Sequence, residues 1–429
     1  MNVTGESIMN SKPQIPLEVR ALLAALQLSQ PDMAPLNKLS DEQWESLLSF
    51  SDLSHLTLAI AQLPTNEFPQ WVVERLATNV SDNALRFERI KATYQEAAAA
   101  LDRAGIAHMV IKGFTQSPEY VMNPRLRAQS DLDIVCTPEN IEAARDALYS
   151  VGYQTVHFQR EYCRADHIPT LVKVGPWNWK GNHFDPEMPL GIELHFCLWN
   201  QGVSRIDVPE AALFFDRRIT RELSGMKFPC LNRVDHLGHL ALHILRNLLL
   251  PDWIIHHVFE LARFLHSHAD DETFWQQWHE LHSPALRSYQ AFAFYYAHAW
   301  FDCRLNPLAA SEIDKLPKVL RSWLQYFQSS PLESMFHRNR DSVWLHIAVV
   351  GSSKEKWGLL KQALIPTSIG STKSIAVHVR NRKIIEPSTR PRWQQYIAYL
   401  INRTWVYGYS AIVTLTRGLG WYMSRIFRS

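Results

Sequence analysis

The stretch Ser130-Asp131-Leu132-Asp133-Ile134-Val135 decides how the rest of the chain is read. Leu132, Ile134 and Val135 mark it as a short strand, and along a strand residues i and i+2 point to the same face. Asp131 and Asp133 therefore aim two carboxylates at one point. Converging carboxylates repel unless a cation sits between them, and Mg²⁺ bridging to a nucleotide phosphate is a common solution. The plainer reading is two solvated acids on an exposed strand face.

Two other stretches bear on that choice. Val110-Ile111-Lys112-Gly113 ends an upstream strand. A glycine there lets backbone N–H groups approach a phosphate, and Lys112 adds a point charge. Downstream, Ile192-Glu193-Leu194-His195 reads as a strand on which Glu193 and His195 share one face. A third carboxylate there completes a metal site, with His195 in reach.

Outward from these strands the texture changes twice. Residues 1–15 read as a disordered lead-in, and 16–104 as helical. Ser40 and Gln43 have the spacing of a capping box. Phe87, Ile90, Tyr94, Ala97 and Leu101 form one stripe of a helix from about Asn83 to Arg103. Residues 105–230 mix strands with a helix opened by Pro138. Further strands are expected at Thr155–Tyr162, Thr170–Val174 and Ile192–Leu198. Residues 231–365 return to helix, 366–392 read as a Ser/Pro/basic linker, and 393–429 as a basic amphipathic tail. The fold class expected is α+β: a small mixed sheet flanked by helical regions at both ends.

The chain has 429 residues, 46% hydrophobic and 20% charged, which excludes wholesale disorder. Its five cysteines form no CxxC pair, which excludes a cysteine zinc site and suits a reducing, cytoplasmic setting. The N-terminus lacks the basic-then-apolar order of a signal peptide, and no apolar run is long enough to span a bilayer. Residues 373–429 hold ten Lys/Arg against the single acid Glu386, a net +9. The other 372 residues carry 34 basic and 41 acidic side chains, a net −7. An acidic body argues against wrapping nucleic acid. The tail's Trp, Tyr and Arg suit docking at an anionic membrane, peripheral at the inner face; contact with nucleic acid and packing on its own domain are the alternatives.

Lys112-Gly113, Tyr120, Arg127, Asp131-Leu-Asp133 and Glu193-Leu-His195 together resemble the nucleotidyltransferase superfamily of DNA polymerase β-like fold. Within it they are most similar to the family described as uncharacterised nucleotidyltransferases, over roughly residues 15–270. That family also has a histidine-bearing helical segment after the sheet, similar to the region of His239, His243 and Glu260. Its acid there is usually Asp, so Glu260 is a departure. The superfamily's Gly-Ser or Gly-Gly pair is absent, since Phe114 follows Gly113.

The resemblance implies two-metal phosphoryl transfer. Asp131 and Asp133 would hold Mg²⁺ (or Mn²⁺), and Glu193 would bind the second ion and help take a proton. An NTP would donate its NMP group to a hydroxyl-bearing small-molecule, peptide or glycan-related acceptor. Lys112, Gly113 and Arg127 would contact phosphate, although Arg127 could instead pair with Asp131. His195 would position the acceptor or bond Glu193. The alternatives are a DxD glycosyltransferase, disfavoured by the hundred helical residues at the start, and a non-catalytic binding module.

Two groups stay outside this scheme. His236, His239 and His243 share one helix face, where a packed set of hydrogen-bonded histidines is expected ahead of zinc. Trp177, Trp179 and His183 lie in a turn-rich loop that either stacks on a base or sugar or caps a hydrophobic edge.

Overall fold

The computed structural model describes residues 15–155, 166–250, 255–337, 339–364 and 392–426, with side chains of the last segment described from Gly408 onward. Two compact units emerge. One comprises the described residues within 21–246 and 254–315; the other gathers those within 1–20, 247–253 and 316–429.

The first unit is built on a seven-stranded mixed sheet, as the α+β reading expects. Its strands are β1 (His108–Ile111), β2 (Asp131–Cys136), β3 (Gln154–Thr155), β4 (Leu171–Val172), β5 (Gly191–His195), β6 (Ile219–Leu223) and β7 (Met226–Cys230). Their order is β3-β4-β5-β2-β1-β7-β6. β1 runs antiparallel to β2, and β5 lies parallel to β2 on the other side, so both acid-bearing strands are central neighbours. The expected strand at Thr155–Tyr162 lies, beyond Thr155, outside the described residues. The hairpin of β6 and β7 turns at Ser224-Gly225, both with positive φ (51° and 75°). Such turns match the twist of paired strands and need residues that tolerate this backbone.

The sheet's apolar face packs on two helices. Leu132, Ile134, Ile192 and Leu194 are fully buried in one cluster with Phe87, Ile90 and Tyr94 of the long helix Gln70–Arg103. Ala144 and Leu148 of helix Ile141–Tyr149 join them. Burying each such large side chain contributes about 1.5–3 kcal/mol.

The long helix starts thirteen residues before the expected Asn83. Its buried stripe continues backward through Val72 and Leu76, but Asn79, Asn83 and Arg86 occupy stripe positions and break the apolar pattern. Asn83 and Arg86 are buried because they bond backbone. Asn83 donates to the carbonyls of Arg125 (2.7 Å) and Arg127 (3.1 Å), and Arg86 to that of Gln129 (2.9 Å). The polar interruption thus pins the segment that delivers Asp131 to the sheet. The helix Asp41–Leu53 opens with the expected capping box, Ser40 and Gln43 bonding reciprocally.

The second unit contains helices Lys318–Tyr326, Ser342–Val349, Ser353–Leu364 and Arg392–Ile426. The expected linker falls almost wholly outside the described residues, and the described part of the tail, to Ile426, is one long helix. Its Arg417 pairs with Glu333 (2.8 Å) and Asp341 (2.8 Å), and Trp421 Nε1 donates to Ser322 Oγ (3.1 Å). A Cβ at Gly418 would fall 2.3 Å from the Trp344 ring, so only glycine permits that approach. No helix among the described residues is long and apolar enough to cross a membrane.

Candidate active site

The sheet's polar face carries the site. Parallel pairing sets Asp133 opposite Glu193 and Val135 opposite His195. With the two-residue period, Asp131, Asp133, Glu193 and His195 all project from this face. β1 supplies the cation. Just past its end Lys112 adopts φ +54°, a conformation that costs a non-glycine residue about 1–3 kcal/mol. That turn brings Lys112 Nζ to 2.7 Å from Asp133 Oδ1. His195 Nε2 donates to the same oxygen at 2.8 Å.

Asp133, Glu193 and His195 each present a ligand atom within 4.8 Å of the others, the only such group of three among the described residues. Asp131 shares the face but does not join that group. Glu193 is held by Thr170 Oγ1 (3.2 Å) and approached by His167 Nε2 (3.6 Å). Asp166 lies 3.7 Å from both His195 Nδ1 and Arg246, so His195 stands between two carboxylates.

The electrostatics differ sharply within the pair. Burial pushes the Asp131 carboxyl up, and repulsion from Asp133 and Glu193 adds to it. Burial also opposes ionisation of Asp133, but Lys112 and His195 outweigh it and hold this carboxyl well below the usual range. Burial alone would lower the Lys112 ammonium; Asp133 and Asp166 reverse that and keep it charged. One aspartate is thus neutralised by the protein itself and the other is not. Two carboxylates and an imidazole, close together and of oxygen and nitrogen donor type, fit a divalent cation.

Arg127 stands apart from its expected partner. Its guanidinium pairs with Glu260 through Nε (2.7 Å) and NH2 (3.4 Å), both side chains at most a tenth exposed. Burial raises the Glu260 carboxyl, but Arg127 and His257 prevail and hold it at about 2. Glu260 is therefore an ion-pair partner of Arg127. Gly113 is buried, and Gln129 fills the place of its Cβ, which would lie 2.3 Å from Gln129 Nε2. Gln129 in turn donates to the Asp131 carbonyl (2.7 Å), so the glycine serves strand placement. Tyr120 stacks on Phe264 (4.7 Å) and packs beside His236 (4.8 Å).

The histidine helix Arg233–Leu249 buries His236 and His239. Desolvation first, then nearby cations, hold both imidazoles neutral, His236 down to about 3. His243 Nε2 meets His257 Nε2 at 3.2 Å, whereas His236 Nε2 has no hydrogen-bond partner among the described residues. In the aromatic loop Trp177 Nε1 donates to Asp185 (2.9 Å), while Trp179 is half exposed and packs on His183 (4.8 Å).

Asp166, His167, Thr170 and Arg246 escape the sequence reading. The adjacent Asp166-His167 pair is the signal nearest to a clue. Only strand pairing brings it beside His195, through the bridge His167–His195.

Acids on neighbouring strands around a buried lysine define a class first: a site whose carboxylates call for a cation and whose lysine suits an anion beside it. The family follows from a match of residues 40–302 to the family model described as uncharacterised nucleotidyltransferase. The chain belongs to that nucleotidyltransferase family. No curated protein and no solved structure matches it.

Proposed function

We propose that the protein transfers an NMP group from an NTP to a hydroxyl-bearing small-molecule, peptide or glycan-related acceptor. The observation that carries this reading is the close group of Asp133, Glu193 and His195 with Lys112 against it. In the transfer, the acceptor oxygen bonds to the α-phosphorus, the bond to the bridging oxygen breaks, and pyrophosphate leaves. Asp131, Asp133 and Glu193, with His195, are the residues to hold Mg²⁺ or Mn²⁺, which when bound supplies Lewis-acid stabilisation of phosphate charge.

The chain's own groups divide the remaining work. Glu193 is the more open of the paired acids, 20% exposed against 4% for Asp133, and is placed to accept the acceptor proton. Lys112 offers its ammonium to phosphate oxygens from the rim of the cluster. Arg127, engaged by Glu260, supports the site through its field and not by direct contact. His195, fixed between Asp133 and Asp166, orients Asp133.

The test is thermal unfolding with each NTP and several sugar nucleotides, with and without Mg²⁺, beside Asp133→Asn. Ligand at a hundred times Kd adds about 2.7 kcal/mol of stability, an easily read shift. A midpoint raised by an NTP only with Mg²⁺, and lost in the variant, supports the proposal. A response to sugar nucleotides alone replaces it with glycosyl transfer, and no response to any nucleotide removes it.

A further inference from the structure

The helix Arg392–Ile426 has two unlike faces. One is fixed: Thr414 is fully buried, Arg417 is clamped by Glu333 and Asp341, and Trp421 bonds Ser322. The helix therefore cannot roll. The face this leaves outward carries Ile412, Leu415, Leu419, Tyr422, Met423 and Ile426, each between 41% and 63% exposed. Steps of three and four residues align them in one stripe, the spacing of a helix side that seeks an apolar neighbour. Isolated exposed apolar residues are ordinary, but a contiguous stripe marks an interaction surface.

Charge decides what covers it. From Pro387 to Ser429 the chain has no Asp or Glu, while this helix alone contains Arg392, Arg403, Arg417 and Arg425. The neighbouring helix Ser353–Leu364 adds exposed Lys354 and Lys361 and presents Trp357, 68% exposed. Arg417 is already held by Glu333 and Asp341, so the positive charge beside the stripe is that of Arg425, half-buried over Trp421, and of the exposed Lys354 and Lys361, which a second copy would only duplicate. A lipid surface bearing anionic headgroups satisfies both halves of the pattern: aliphatic and tyrosine side chains enter the acyl boundary, and the cations meet phosphate. Such a helix would lie in the interface, since it is not apolar enough to cross.

We infer that the stripe of this helix docks the protein on anionic membranes. The test is co-sedimentation of the full chain with phosphatidylcholine vesicles and with vesicles two-to-one in phosphatidylcholine and phosphatidylglycerol. The triple variant Ile412→Ser/Leu419→Ser/Met423→Ser is run in parallel, its fold checked by circular dichroism. These positions are exposed, so the helix should stay packed. Binding to the anionic vesicles, at least tenfold weaker in the variant and weakened by salt, is the expected result. Equal binding by a folded variant, indifference to lipid charge, or no binding overturns the inference. So does a wild-type dimer, seen by sedimentation equilibrium, that the variant returns to monomer.

Discussion

On one side of β2, Leu132 and Ile134 are sealed against Phe87, Ile90 and Leu148; on the other, Asp131 and Asp133 crowd Glu193, His195 and Lys112. Both faces are largely withdrawn from water, yet they differ in completeness. The apolar face needs nothing from outside the chain. The polar face gathers more carboxylates than its one lysine neutralises. A face finished by packing serves stability, and a face left with excess charge is disposed to take a ligand. Substitutions should therefore separate folding from chemistry according to the side of the strand they touch.

The sharpest separation is Asp133→Asn. NMP transfer, followed as pyrophosphate release, should fall by at least about a thousandfold, because the central ligand of the close group is lost. A variant keeping a tenth of wild-type transfer would break the comparison. Next is Glu260→Gln, which strands Arg127 in a buried place and should cost about 3–5 kcal/mol in urea unfolding. This pair also has a pH signature. With the folded carboxyl at about 2 and the unfolded one near 4.5, its stabilisation is whole above pH 4.5 and fades as pH falls towards 2. Glu260→Gln should lack that contribution to the acid limb, and Arg127→Met/Glu260→Met should recover most of the loss.

A smaller effect is expected across the sheet. Ile134→Ala should remove about 2–4 kcal/mol of stability while transfer per folded molecule stays within twofold. A large drop in that specific activity would mean the two faces are not independent. The smallest effect has the opposite sign. In chelator, Asp131→Asn should stabilise the protein by about 1 kcal/mol, since it relieves burial and repulsion that Lys112 and Arg127 offset only in part. A fall in melting temperature would show that the Asp131 charge is already compensated.

Alternation carried much of this into view. The acids at 131, 133 and 193 and the histidine at 195 are legible because a strand's period makes same-face residues predictable, and their parallel register follows the apolar residues between them. Less legible was anything set by polar groups doing structural tasks. Asn79, Asn83 and Arg86 hid thirteen residues of helix by breaking an apolar stripe, Asn83 and Arg86 in order to bond carbonyls. Arg127 reads as a phosphate contact or a partner of Asp131, and no local pattern points to its ion pair with Glu260, 133 residues later. Asp166 and Arg246 join the site only through pairings that no local pattern encodes. Gly113 suggests an open cradle, and its need comes from Gln129.

The histidine helix has a consequence for proton traffic. His236 and His239 are each under a twentieth exposed and held neutral far below the ordinary imidazole range. Unfolded, both would take up protons below about pH 6.5. At pH 5 His236 then favours the unfolded chain by about 2 kcal/mol, a sizeable part of a typical stability of about 5–15 kcal/mol, and His239 acts in the same direction. Unfolding should thus absorb protons, and the midpoint should slide down between pH 6.5 and 5, above the range where the Glu260 pair begins to fail. The interior that shelters the carboxylate cluster is by that measure an acid-sensitive one, suited to work near neutrality.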